Sequence, residues 1–203
     1  VIIPQVEGIG SVKTRAANLR VQILEATDQP VHIIAHSQGG LDSRYMISHL
    51  DMAKQVRSLT TIATPHRGSP VADWAISKTQ KIGVFKMLEW STMDTQAFMD
   101  LRTTECAAFN EKTPDAKGIK YLSVAGEPKR EHTLRALRMC HDIVSEAEGP
   151  NDGLVSSQSA QWGEETFIWP ADHAQQIGWF NDPSFDWRNG WNEILGKLTA
   201  MEK

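Results

Sequence analysis

Residues 31–40 combine three signals in ten positions: an apolar β-rich run, a serine between small residues, and the start of a helical pattern. The run Val31–Ala35 favours a strand, and the apolar positions after Gly39 recur at helical spacing. Ser37 therefore lies at the apex of a sharp turn between a strand and a helix. Such a strained turn requires small residues two positions before and after the serine, and the chain has Ala35 and Gly39 there. The free amides and dipole of the helix N-terminus favour an anion beside the Ser37 hydroxyl.

The remaining sequence extends this strand–turn–helix unit into an α/β pattern. Ser11 is a good N-cap for a helix that runs to about Ala26. Because strands and helices alternate, we expect a mostly parallel sheet flanked by helices. The segment 143–155 is predicted to be mostly loop. The other predicted strands are Val1–Val6, Arg57–Ala63, Lys120–Ala125 and Glu165–Trp169. The predicted core stripe of a helical tail from Gln175 is Trp187, Trp191, Ile194 and Leu195.

A helical insertion interrupts the strand signals at about residues 71–109. This segment is rich in Trp, Met and Phe, and it predicts two or three helices between strands. Adaptable apolar side chains of this kind suit an acyl-binding cap, and they equally suit plain core packing. We therefore predict one domain over residues 1–203 with a helical cap or lid insertion at about 71–109.

Composition excludes several classes of protein. The chain has 203 residues and a formal net charge of −4, without a basic stripe, so nucleic acid is not an expected partner. No apolar run approaches the roughly 18 residues of a membrane helix, so no transmembrane segment is predicted. Cys106 and Cys140 could form one disulfide or remain two buried thiols, of which buried thiols are favoured, and a single pair assigns no compartment.

A serine hydroxyl needs a base to become a nucleophile, and the base needs an orienting acid. In hydrolases whose serine lies in such a turn between a strand and a helix, the catalytic residues follow one another along the chain in the order serine, acid, histidine. His132, His141 and His173 lie late enough for that order. His173 is favoured, because it follows the β-like run 167–169 and so lies on a loop at a strand end.

The candidate acid is Asp152, within the turn-rich segment 151–155. An Asp-Gly pair is also a common turn without any catalytic role. Asp142 and Asp172 are the competitors. Asp172 directly precedes His173, which is a poor geometry for holding its ring, and Asp142 lacks the exposed-turn context.

Four blocks of sequence together resemble the triacylglycerol lipases of the α/β-hydrolase superfamily, most closely the bacterial true lipases and their fungal relatives. Residues 33–40, followed by Arg44 and Tyr45, resemble the nucleophile elbow and its helix. Residues 62–69 resemble the segment after the next strand, which borders the active site. Residues 151–155 resemble the acid block, and residues 171–173 resemble the histidine block. The order and approximate spacing match across nearly the whole chain.

The resemblance implies an α/β-hydrolase fold and a role for each matching residue. Ser37 corresponds to the nucleophile, Asp152 to the acid and His173 to the base, while the Gln38 N–H supplies one oxyanion-hole donor. The insertion corresponds to the lid region. The candidate pocket-lining residues are His36, His66 and Trp74.

Two departures from the family pattern affect these expectations. The second oxyanion donor of the family comes from a His-Gly loop upstream of residue 1, and the first strands of the usual sheet are also absent. Either Val1–Val6 or the nucleophile strand is then expected near a sheet edge. Many bacterial relatives hold calcium partly through an aspartate two residues after the histidine. Gln175 occupies that position here, so no metal is predicted, and no cofactor is expected.

The resulting hypothesis is a serine-dependent carboxylic ester hydrolase that acts on small-molecule lipid esters and makes transient contact with a lipid interface. The enzymatic alternatives are a short-chain esterase, a phospholipase or a thioesterase, because the triad fixes the chemistry and not the leaving group. The non-enzymatic alternative is an inactive hydrolase-like binding domain or a fragment that lacks the oxyanion loop.

Overall fold

A parallel four-stranded sheet lies at the centre of the computed structural model, which describes residues 1–6, 10–79, 95–180 and 182–202. The spatial order follows the chain, and each neighbouring pair of strands is parallel. The predicted mostly parallel sheet is thus confirmed. In the described residues the strand before Ser37 is at one edge, which is one of the two alternatives predicted. The strands are β1 (Val31–His36), β2 (Val56–Ile62), β3 (Lys120–Gly126) and β4 (Glu165–Trp169).

Helices connect these strands and cover the sheet. Ser11 caps the first helix as predicted, since its hydroxyl accepts a hydrogen bond from the Thr14 amide at 3.3 Å. Short 3₁₀ turns lie at Arg130–His132, Arg135–Leu137 and Gln175–Ile177. The described α-helices are α1 (Val12–Ala26), α2 (Gly39–His49), α3 (Pro70–Thr79), α4 (Thr95–Asp100), α5 (Thr103–Lys112), α6 (Arg138–Glu148), α7 (Ser157–Ala160) and α8 (Trp187–Ala200).

Successive residues of each strand point to opposite faces of the sheet, so the strands contribute to two apolar clusters, one on each face. Leu59 and Tyr121 pack with residues of α1 and α2. Ile62 and Val124 pack with Trp169 and with the α8 residue Ile194. The sheet is therefore covered on both faces, and the carboxyl ends of its strands are held at a common edge.

The prediction of a strand at Val1–Val6 is wrong. This segment lies against α1, where the Gln5 amide donates to Gln22 Oε1 at 2.8 Å and Gln22 Nε2 donates to the Gln5 carbonyl at 3.0 Å. Pro4 has no amide hydrogen to offer a neighbouring strand. The alternation of strands and helices thus begins at α1.

The prediction of a mostly irregular segment at 143–155 is wrong over its first part, because α6 continues to Glu148. Cys140, Ile143 and Val144 are spaced for one helix face and pack together against α3. The left-handed backbone of Gly149, with φ of 89°, then ends the helix.

The tail is only partly as predicted. A 3₁₀ turn begins at Gln175, but α8 starts twelve residues later at Trp187. Leu195, predicted to face the core, is 47% exposed, and Leu198 is buried in its place. Leu198 is four residues after Ile194 and therefore lies on the same face of the helix. Leu195 is one residue after Ile194 and points about 100° away around the helix axis.

The insertion contains α3, α4 and α5 in its described part, and residues 80–94 lie outside the described residues. The cap assignment stays a prediction. Cys106 and Cys140 are free and buried, as expected. Among the described helices, none is both long and apolar enough to cross a membrane.

Candidate active site

Ser37 lies in a sharp turn between β1 and α2, with a left-handed φ of 54°. Its amide donates to the Ile62 carbonyl at 2.8 Å, and its carbonyl accepts from the Thr64 hydroxyl at 2.7 Å. The end of β2 therefore holds the strained residue from both sides. Gly40 makes this possible, since a Cβ there would lie 2.7 Å from Thr64 Cγ2 and 2.8 Å from Thr61 Cγ2.

Three side chains from distant parts of the chain form a continuous hydrogen-bond chain. Ser37 Oγ lies 3.0 Å from Nε2 of His173, and Nδ1 of His173 lies 2.8 Å from Oδ2 of Asp152. The carboxylate can only accept, so the neutral ring carries its hydrogen on Nδ1 and turns the Nε2 lone pair toward the serine hydroxyl. This tautomer is the one that can take a proton from Ser37.

The carboxylate of Asp152 is buried and fully engaged. Oδ1 accepts from the amides of Leu154 and Val155 at 2.9 and 2.8 Å. The backbone adds a second link to the base, because the His173 amide donates to the Asp152 carbonyl at 2.9 Å. The acid and base loops are thus fixed to each other by both main chain and side chain.

His36, directly before the serine, supports the base from the other side. Its Nε2–H donates to the His173 carbonyl at 3.0 Å, and the two ring centroids are 4.6 Å apart. Burial, reinforced by the positive charge that His173 can carry, lowers the pKa of His36 from 6.5 to about 3. His36 is therefore neutral at physiological pH, and it holds the His173 backbone without competing for the proton.

Gln38 is the N-cap residue of α2 and is 5% exposed. Amides at a helix N-terminus have no partner within the helix and point toward the preceding residue. The role of the Gln38 N–H as an oxyanion donor stays a prediction. Its side-chain Nε2 is buried without a hydrogen-bond partner in the described part of the chain.

The competing residues make no described hydrogen bond to Ser37. His141 lies on α6, where its Nδ1 is 3.8 Å from Oδ1 of Asp142, and His132 lies 3.7 Å from Asp182. Asp142 pairs with Arg130 at the surface. Of the three late histidines considered, His173 is the one that contacts both a serine hydroxyl and a carboxylate.

Asp172 has a structural contact pattern. Its carboxylate caps the turn that follows, accepting from the amides of Ala174 and Gln175 at 3.0 and 2.9 Å. Its other oxygen accepts from the Leu134 amide at 2.7 Å. Asp172 therefore anchors the loop of His173 rather than touching its ring.

His66 lies in the protein interior and is fully buried, and its pocket-lining role stays a prediction. Its Nε2 lies 3.0 Å from the Thr61 hydroxyl, and its ring stacks on Trp162 at 4.9 Å. Complete burial lowers its pKa well below 6.5, and the neighbouring Arg44 acts in the same direction. Trp74 lies partly buried on α3, and its pocket-lining role stays a prediction.

Sequence reasoning missed several contacts to the central three residues, among them those of Thr64 and Gln176. The Thr64 hydroxyl holds the Ser37 carbonyl, and the Gln176 side chain donates to Asp152 Oδ2 at 3.1 Å. Thr64 lies inside a block already assigned to the site border, which gave a partial signal. No motif marks Gln176, because its contact depends on how the turn after His173 folds back on the acid loop.

Gln175 occupies the position where many relatives carry a calcium-binding aspartate. Its Oε1 accepts from the Asp172 amide at 2.8 Å, and its Nε2 donates to the His132 carbonyl at 3.0 Å. The amide thus links two loops directly. Over the described residues, no group of three or more His, Cys, Asp or Glu side chains could hold a metal ion.

Comparisons with known proteins agree with this fold. Residues 19–177 match the family of the PGAP1-like alpha/beta domain. Triacylglycerol lipase 2 of Saccharomyces cerevisiae is 32% identical over all of this chain, and the chain spans 64% of the yeast protein's length.

Two solved structures have the same fold. The mature Bacillus licheniformis lipase BlEst2 superposes with a TM-score of 0.67 at 24% identity, covering 80% of this chain and 67% of its own. The metagenomic carboxyl esterase MGS0156 gives a TM-score of 0.70 at 21% identity, covering 84% of this chain and 53% of its own. The chain therefore belongs to the PGAP1-like alpha/beta domain family and has the α/β-hydrolase fold.

Proposed function

We propose that this chain is a serine-dependent carboxylic ester hydrolase that acts on lipid esters through an acyl-enzyme at Ser37. The observation that carries the proposal is the chain of hydrogen bonds of 3.0 and 2.8 Å from Ser37 through His173 to Asp152. A serine becomes nucleophilic when a base faces its hydroxyl and an acid fixes the tautomer of that base.

The reaction proceeds in two halves. Ser37 Oγ attacks the ester carbonyl carbon as its proton moves to His173 Nε2, and the Gln38 N–H binds the developing oxyanion. The imidazolium is stabilised by Asp152. It then returns the proton to the departing alcohol as the carbon–oxygen bond of the ester breaks. Water, activated by the same histidine, attacks the acyl-enzyme and releases the carboxylic acid with free Ser37.

Two observations favour lipid esters over small soluble esters. The yeast relative is named a triacylglycerol lipase. In addition, Trp179 and Phe180 follow the turn after His173 and are 71% and 49% exposed. The Trp179 ring is 6.2 Å from that of His36, so this exposed aromatic pair lies beside the site. Aromatic side chains exposed in this way suit contact with an aggregated lipid surface.

The test is hydrolysis of p-nitrophenyl esters over a chain-length series, with Ser37→Ala as the matched control. We expect activity that rises toward long acyl chains and is lost in the variant. A preference for acetate or butyrate would replace the lipid-ester proposal with a short-chain esterase. Absence of both turnover and covalent labelling by a fluorophosphonate in the wild type would overturn the proposal.

A further inference from the structure

Gln176 is a buried amide in contact with the carboxylate that orients the base. Its Nε2 donates to Asp152 Oδ2 at 3.1 Å, and His173 Nδ1 lies 2.8 Å from the same oxygen. Gln176 is 0% exposed. Its own Oε1 is buried without a hydrogen-bond partner in the described residues. The side chain is therefore oriented with its donor toward the acid at the cost of leaving its acceptor unpaired.

The main chain fixes this orientation. The Gln176 amide donates to the Asp172 carbonyl at 3.1 Å, and its carbonyl accepts from Trp191 Nε1 at 2.9 Å. Gly126, at the end of β3, provides the space. A Cβ at Gly126 would overlap Gln176 Nε2 and lie 2.7 Å from the Asp152 Cβ. The turn at Gln176, the Trp191 indole and the absence of a side chain at Gly126 thus all hold the Gln176 amide against the Asp152 carboxylate.

We propose that Gln176 is a positioning residue that keeps Asp152 ionised and aligned with His173; this inference rests on the proposed function. A buried carboxylate needs donors in place of water to remain charged. Gln176 supplies one donor to the oxygen that faces the base. Because the amide is neutral, it stabilises the carboxylate without adding a positive charge that would oppose protonation of His173 during the reaction.

The contact also sets how strongly the acid favours the imidazolium. A donor on Oδ2 withdraws part of the negative charge that His173 experiences. Removal of this donor should make the histidine easier to protonate, which moves the acid limb of the pH–rate profile to higher pH. A glutamic acid at position 176 would stay protonated because it is buried against the Asp152 carboxylate, so its O–H would replace the amide donor and keep the limb near the wild-type position.

The experiment measures kcat/KM against pH for wild type, Gln176→Met and Gln176→Glu. Methionine keeps the length of the side chain and removes the donor together with its unpaired acceptor, so we expect little loss of folding. We expect the acid limb of Gln176→Met to lie about 0.5 in pH above that of the wild type, with a fall in kcat of about tenfold, and the limb of Gln176→Glu to lie near the wild-type midpoint.

Ile194→Val is the matched control. This variant removes one methylene from a buried residue of α8 in the apolar cluster on the sheet and leaves Gln176 and Trp191 in place. We expect a lower Tm with an acid limb at the wild-type midpoint. Coincident acid limbs for all four proteins would overturn the inference, whatever their activities, because a merely structural role would change stability and not the titration.

Failure of the proposed function has a different signature. The rate of fluorophosphonate labelling of Ser37 in the wild type reports nucleophile activation without ester turnover. Absence of labelling and turnover in the wild type overturns the hydrolase proposal and this inference with it. An active wild type with unshifted variants overturns only the role of Gln176.

Discussion

Ser37 has a left-handed backbone conformation. We therefore predict that the Ser37→Gly variant has a higher free energy of unfolding than the Ser37→Ala variant. With φ at 54°, any residue with a Cβ is strained by about 1–2 kcal/mol. Glycine escapes this cost but loses about 0.4–1 kcal/mol through the greater freedom of its unfolded chain. The difference favours Ser37→Gly over Ser37→Ala by about 1 kcal/mol in free energy of unfolding.

Comparison of the two variants isolates the backbone. Both lack the hydroxyl, so both lose the contact with His173 and all nucleophilic activity. Urea denaturation measures the difference directly, and thermal unfolding should place Ser37→Gly about 2–4 °C higher. The matched control is Ser145, an exposed residue within α6, where Ser145→Gly should be about 1 kcal/mol less stable than Ser145→Ala.

The strain argument is supported if the glycine variant is more stable than the alanine variant at Ser37 and less stable than it at Ser145. The reasoning is refuted if Ser37→Ala is as stable as Ser37→Gly while the control at Ser145 behaves as expected. The left-handed conformation of Ser37 would then not reduce the free energy of unfolding by an amount that glycine restores.

Four further predictions concern the acid, a buried charge, the exposed aromatics and metal dependence. Asp152→Asn should lower kcat by about 10⁴ without unfolding the protein, since the wrong tautomer of the base is favoured; ester hydrolysis and circular dichroism test this. Burial raises the pKa of Asp42 from 3.8 to about 7, so between these values the folded state holds a proton that the unfolded state has released. The free energy of unfolding should therefore fall as pH rises from about 4 to about 7, and urea titrations of Asp42→Asn should show a flatter slope. Trp179→Ala should reduce hydrolysis of emulsified long-chain esters more than that of soluble short-chain esters, whereas Met139→Ala, also exposed, should leave the ratio unchanged. Chelation with EDTA should leave activity and Tm unaltered, because the Gln175 amide already joins the loops with hydrogen bonds to protein; a fall in Tm restored by calcium would contradict this.

Local sequence signals predicted most of the strands and the nucleophile turn. The apolar run at Val31 and the small residues around Ser37 dictate a strand and a sharp turn by steric necessity, and both are present. Val1–Val6 has equally apolar residues but lies against α1. Apolar composition alone could not reveal that Gln22 would satisfy its backbone groups.

The sequence predicted the three residues that meet at the candidate site, but not the contacts that hold them in place. Chain order and loop context pointed to Asp152 and His173, and the structure brings both to Ser37. The contacts of His36 with the His173 carbonyl and of Gln176 with the acid depend on tertiary placement, for which a single sequence carries no pattern. The complete burial of His66 was likewise not apparent from its polar loop context in the sequence.

The separation of Ser37 from His173 along the chain, 136 residues, has a consequence for folding. Contacts between such distant residues form only after long loops have closed, and chains dominated by them fold slowly. Recovery of enzymatic activity during refolding should therefore lag behind helix formation. The hydrogen bonds that join Ser37, His173 and Asp152 would then report assembly of the whole sheet, and reactivation kinetics would measure when the strand ends come together.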